Sequence, residues 1–254
     1  VPRRLLGPDR DRERALQDRL LIGLQRQFTG RIKRQLDAQS REMVTRFART
    51  GTVPPVTDEH EQAMAAIYAD MAAAGARALG LRILDQGKSL GYALETKSFA
   101  EMFALFASDY IEQEMVRRKI TNVVQTTRDS IVNAIARTTT DGTSIVATAR
   151  EISRVVGGIN AMRADRIART ETHGAANYGA DRAARSTGLE LQKEWVAVED
   201  ARTRPDHAAA DGQTVEMDQA FTIGGEALMF PGDFNGSAGQ VINCRCQVAH
   251  IVND

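Results

Sequence analysis

"RAARSTGLELQKEWVAVED", residues 182–200, is where the sequence changes character. Ahead of Gly188, Ala, Leu, Ile, Arg and Gln dominate, and apolar residues recur at helical spacing. After it come short β-type runs, "KEWVAVED", "TVEM", "AFTI" and "QVAHIV". Loops rich in Gly, Asp and Pro separate them. Helices first and strands later reads as α+β. The expected architecture is a mostly helical N-terminal and middle region followed by a small C-terminal β-rich unit.

Upstream of the switch, Leu16, Leu20, Leu21, Leu24, Phe28, Ile32 and Leu36 mark one helical stripe, with a start near Pro8-Asp9. "TGTVPPVTDEH" (50–60) halts that helix with two prolines. Thr57 caps the next one, and Asp58, Glu59 and Glu61 follow in its first turn, where the helix dipole favours anions. That helix runs to about Gly80 or Leu84, and "DQGKSLG" (85–91) breaks it. Further helices are expected over 97–118 and 121–137, and "TTTDGTS" (138–144) is a turn. Thr143 or Ser144 caps a helix to Val156, "GGIN" closes it, and 160–186 forms the last long helix, ended by Gly188.

The chain has 254 residues, enough for a large core, and its 33 basic residues balance 33 acidic ones. Net charge therefore points to neither nucleic acid nor a membrane surface. The balance hides alternation: residues 1–50 carry +7, 51–115 carry −6, 116–190 carry +5 and 191–254 carry −6. Such blocks suit docking against partners of differing sign, or pairing within the chain. No run of 18 apolar residues suggests a membrane span, and the start is too charged for a secretory signal.

Cys244 and Cys246, in "INCRC", are the only cysteines. On a strand they would share a face, with Arg245 pointing the other way. Two thiolates need two more ligands to close a tetrahedral zinc site. His207, in the loop "DARTRPDHAAADG", supplies one, and Asp200, Asp211 or His173 could supply another. A staple of that kind would add folding energy to a small β unit. The competing reading is two buried small residues and an ordinary hydrogen-bonded histidine. A deaminase would need H-x-E with P-C-x-x-C, and neither is present. Arg163, Arg166 and Arg169 line one side of the last helix, with Glu171 in reach and small residues (Gly174, Ala175, Ala176, Gly179) admitting a close neighbour. Trp195 anchors the β unit, and Asp200 with Arg202 and Arg204 stabilises a tight loop.

Four segments, in this order and spacing, resemble the C-terminal domain of phage Mu F-like minor head proteins, the head morphogenesis family. They are the A-R-T-E helix (Ala168 to Glu171), the W…D-x-R-x-R-x-x-H…D-G segment (Trp195 to Gly212), the P-G-D loop (Pro231 to Asp233) and N-C-R-C (Asn243 to Cys246). The likeness covers roughly residues 120–252, so the chain divides into a helical docking region, 1–118, and a Mu F-like domain, 119–254. The resemblance implies a non-enzymatic virion protein of a tailed phage or prophage-derived particle, present in few copies at the portal vertex of the head, in host cytoplasm during assembly, and linked to head assembly and DNA packaging or delivery. Its implied partners are the portal protein, the major capsid protein or an adaptor, and packaged DNA. It also strengthens the zinc reading (Zn2+ on Cys244, Cys246 and His207, with Asp200 as fourth ligand), since these are motif positions. Arg169, Glu171, Trp195, Arg202, Arg204 and Asn243 are then structural. Two alternatives stay open: a metal-dependent hydrolase or nuclease using Asp200, His207 and Asp211, and a DNA-binding module in the basic first 50 residues.

Overall fold

The computed structural model describes residues 3–4, 10–89, 91, 99–138 and 144–252. A two-residue strand, β1 (Arg3–Arg4), precedes five helices: α1 (Arg10–Thr50), α2 (Asp58–Ser89), α3 (Phe99–Glu112), α4 (Glu114–Thr138) and α5 (Ile145–Arg185). The β unit follows as β2 (Leu191–Val196), α6 (Pro205–Ala209), β3 (Thr214–Glu216), β4 (Phe221–Ile223), β5 (Glu226–Leu228), α7 (Ala238–Val241) and β6 (Gln247–Val252). The α+β expectation holds, with antiparallel strands confined to small sheets apart from the helices.

The α1 stripe buries Leu21, Phe28, Ile32 and Leu36 and continues through Met43, Val44 and Phe47. Leu20 lies outside it, exposed. The helix ends where Gly51 adopts φ 71° and its N–H returns to the Phe47 carbonyl at 2.8 Å. The proline linker then delivers Thr57, whose carbonyl receives the N–H groups of His60 and Glu61 at the start of α2. The Pro8-Asp9 start, the Thr143 cap and most of the 138–144 turn lie outside the described residues.

Three expected boundaries move. "DQGKSLG" does not break α2 at residue 85, because the helix continues to Ser89. The gap expected near residues 118–121 falls at Gln113 instead. "GGIN" does not close a helix: α5 is continuous for 41 residues, capped by the Ser144 side chain, which accepts from the Ala147 N–H. Gly157 and Gly158 cost about 1 kcal/mol each in helix propensity. The buried line Ile152, Val156, Asn160, Ala164 and Ala168 runs straight past them at four-residue spacing. Asn160 donates to Asp37 and Ser40 of α1, so packing overrides the local break.

Helix α5 is the axis of the molecule, and α1 and α2 form its most extensive contacts. The α2–α5 crossing is made by small residues. A Cβ on Gly179 would lie 2.3 Å from the Ala76 Cα, and one on Gly75 would lie 2.9 Å from the Ala176 Cα. Only glycine lets the two backbones approach this closely. The β unit packs on the same small-residue stretch, where Ala176, Ala180 and Ala184 join Leu191, Trp195 and Val252 in one core.

The main sheet has the order β1-β6-β2-β3, all antiparallel, with Leu191 opposite Val252 and Val196 opposite Gln247. β4 and β5 form a hairpin closed by Gly224 and Gly225, both at positive φ, the conformation a tight two-residue hairpin turn requires. Trp195 is fully buried and packs edge-on against Phe221 and His207. Tyr110, Tyr178, Phe230 and Phe234 form a second aromatic group beside α5.

Candidate metal centre

The two cysteines lie just before β6 rather than on it. The extended backbone at 244–246 still turns both sulfurs to one side and Arg245 to the other, where its guanidinium clamps Asp200 at 2.6 and 2.7 Å. The turn that brings the segment there needs Asn243 at φ 59°, a conformation asparagine tolerates better than most residues. Its side chain accepts from Arg169, and its N–H donates to the Thr170 hydroxyl at 3.0 Å. The next motif residue, Glu171, receives the Tyr110 hydroxyl and Lys119. The A-R-T-E helix is thus the seat of the N-C-R-C turn.

His207 reaches the sulfurs from α6, a one-turn helix that Pro205 starts, since proline suits the first helical position. Its Nδ1 lies 3.4 Å from Cys246 Sγ and 3.6 Å from Cys244 Sγ. The three ligand atoms lie within 4.8 Å of one another, and all three side chains are buried. Tetrahedral zinc with Zn–S near 2.3 Å and Zn–N near 2.0–2.1 Å requires N···S separations of about 3.5–3.6 Å. The donor set and its spacing therefore fit a zinc-type ion. On its other side, His207 Nε2 meets Gln240 Oε1 at 2.9 Å. That contact presents Nδ1 as the lone-pair nitrogen and fixes the ring plane, as outer-shell partners do for metal-binding histidines.

The sulfurs sit among donors. Cys244 receives a hydrogen bond from Cys246, which, with His207 beside it, draws its thiol down against the cost of burial. Cys246, hydrogen-bonded to that thiolate and buried, is pushed up. The backbone N–H of Cys246 also faces the Cys244 sulfur, and that of Val198 faces Cys246. Burial pulls His207 down, but Cys244 and Gln240 outweigh it and leave it raised. The downward pull on Cys244 favours ligation, because the thiolate is the form that binds a metal.

The other expected ligands are engaged elsewhere. Asp200 accepts from Arg245 and from the Arg202 backbone N–H, which holds its carboxyl well below the usual range. Asp211 accepts from Arg10 at 2.6 Å and from the Ala197 N–H at 2.8 Å. His173 is buried in α5 and does not join the cluster. Asp200, His207 and Asp211, the set a hydrolase would use, are not brought together: both carboxylates are committed to arginines. Arg204 donates to the Ile242 carbonyl, and Arg202 lies at the mouth of the pocket over the cluster.

Two residues that sequence reasoning passed over hold the centre. Gln240 is one. Asn177 is the other: its Nδ2 donates to the carbonyls of His173, Pro231 and Cys246, and its Oδ1 accepts from the Val248 N–H. A lone amide among small residues in "HGAANYG" was a usable signal for Asn177; "SAGQV" offers none for Gln240.

Residues 129–249 match the family model of phage Mu protein F like protein. The chain is 30% identical over 176 residues to NAD(+)--arginine ADP-ribosyltransferase EFV of Enterococcus faecalis, covering 65% of this chain and 36% of that protein. It is 25% identical over 175 residues to Minor head protein GP7 of Bacillus phage SPP1, covering 66% of this chain and 54% of that protein. The chain thus spans about a third to about half the length of these relatives. No solved structure matches it.

Proposed function

We propose that this chain, whose residues 129–249 belong to the phage Mu protein F like family, is a minor structural protein of a phage head. The observation that carries the reading is the joint one: a family match over the clasp-bearing region and similarity to a minor head protein across two thirds of the chain. We place it at the portal vertex, in contact with the portal protein and in the path of packaged DNA. Residues 1–118 act there as the docking region and 119–254 as the anchored module. The transferase activity in the name of the Enterococcus relative is not carried over, because the match reaches only 36% of that protein.

The charge blocks support docking by a limited surface. Part of the basic N-terminal block is spent inside the molecule: Arg10 pairs with Glu194 and Asp211, Arg14 with Glu199, and Arg31 with Asp70. Arg41, Arg46 and Arg49 line a shallow hollow on the exposed side of α1 and remain at the surface. They are the groups we assign to an acidic portal face or to DNA. Binding through them weakens with salt. No helix among the described residues is long and apolar enough to cross a membrane.

We further propose that His207, Cys244 and Cys246 hold zinc as a structural clasp, joining the α6 loop to the approach of β6. The test of the head assignment is gradient sedimentation of a lysate containing assembled heads. The chain should travel with portal-bearing particles; recovery only in the slow, free-protein fractions would refute it.

A further inference from the structure

His207, Cys244 and Cys246 leave one corner of a tetrahedral site without a donor among the described residues. The three ligands share a pocket with Val198, Arg202, Thr203, Arg204, Asn243 and Arg245, and no acidic side chain lines it among the described residues. The pocket is no larger than a water molecule, so it admits the tip of a ligand and not its body.

Charge decides what kind of tip. Zinc with two thiolates and a neutral imidazole carries no net charge. Around it, Arg245 is saturated by Asp200, and Arg202 reaches the same carboxylate only at 3.5 Å, with its side chain 75% exposed. One carboxylate therefore serves two guanidiniums, and Arg204 adds a third, which donates to the neutral carbonyl of Ile242. The mouth is cationic, and a planar guanidinium pairs best with a planar carboxylate.

We infer that the metal takes its fourth ligand from outside the chain, as a carboxylate oxygen, with Arg202 positioning that group. The inference rests on the metal reading above. Carboxylate oxygen is a normal zinc donor, at about 2.0–2.2 Å. The clasp then doubles as a contact point that an anion or an acidic side chain can close.

The test uses the full chain loaded with cobalt(II) and its visible ligand-field bands. Acetate is expected to shift the bands saturably, and Arg202→Gln to raise the half-saturating acetate concentration several-fold with metal stoichiometry unchanged. A dilution series without acetate separates the sources. Bands that change with protein concentration identify an acidic side chain of a second copy; bands that stay constant there but respond to acetate identify a free carboxylate. Bands unmoved by either overturn the inference and leave the metal site standing. An unchanged half-saturation in Arg202→Gln overturns the role given to that residue. Failure of the chain to bind cobalt or zinc removes the metal site itself, and this inference with it.

Discussion

The Nδ2 of Asn177, in the middle of α5, donates to the backbone carbonyl of Cys246 at 3.0 Å. With its contacts to Pro231 and Val248, this one side chain ties the axial helix to the P-G-D loop and to the first residues of β6. Cys246, one of the three candidate metal ligands, sits on backbone that Asn177 holds.

Replacing Asn177 with Ala leaves the Val248 N–H and the carbonyls of Pro231 and Cys246 short of a partner. Unsatisfied buried groups cost about 1–3 kcal/mol each when nothing relaxes to meet them. A loss of about 2–4 kcal/mol is expected, read as a lower midpoint in urea unfolding. An effect under half a kcal/mol would mean the loop and strand are held by other contacts.

The α2–α5 crossing makes a sharper packing prediction. Gly179→Ala forces a methyl against the Ala76 Cα and should destabilise by about 1–3 kcal/mol or more. Gly23→Ala, in a stretch of α1 where an added Cβ meets nothing within 4 Å, should stabilise by up to about 1 kcal/mol. The opposite signs of two Gly→Ala changes in long helices are the readout; equal effects would contradict the close approach.

Acid sensitivity follows from two buried histidines. Burial, with Arg245 and Arg169 adding to it, holds His173 at about 3. Burial likewise brings His250 to about 4. In the unfolded chain each takes up its proton near 6.5. The folded values lie below the unfolded ones, so the stability is fully present above about pH 6.5 and is lost as pH falls toward 4. Each histidine contributes a slope of about 1.4 kcal/mol per pH unit in that window. His250→Leu should make the slope shallower. A slope identical to that of the parent chain between pH 4 and 6.5 would be evidence that His250 is not held neutral.

Zinc should raise stability in proportion to its binding. At a free concentration about 1,000 times Kd it adds about 4 kcal/mol. Chelation should therefore lower Tm by about 8–16 °C at the sensitivity usual for chains of this size. Cys244→Ser should respond weakly to chelator. Gln240→Leu, which frees the His207 ring without touching a ligand, should weaken zinc affinity about 10- to 100-fold. Parent and Cys244→Ser chains with the same Tm with and without chelator would argue for two buried thiols and no metal.

Much of the architecture was legible because α1 and α5 repeat apolar or small residues at helical spacing, and because the texture changes at Gly188. The "GGIN" break was misread because local propensity cannot report that Asn160 finds Asp37 and Ser40 on a helix more than 100 residues away. The strands β1 and β5 are only two and three residues long, too short to carry a period. At the site, Cys244, Cys246 and His207 were readable from residue chemistry. Asp200 was a plausible ligand by type, yet Arg245, which parity placed on the far side of the cysteines, takes its charge. Gln240 was invisible because an outer-shell amide has no sequence signature without its histidine in three dimensions.

The position of the chain in an assembled particle decides the assignment. Cryo-electron microscopy of heads carrying a gold-labelled copy would show it. A label at a single vertex of each head, the one bearing the portal, is the predicted result. Label spread over every vertex, or heads that carry none while the chain accumulates free, would contradict the assignment.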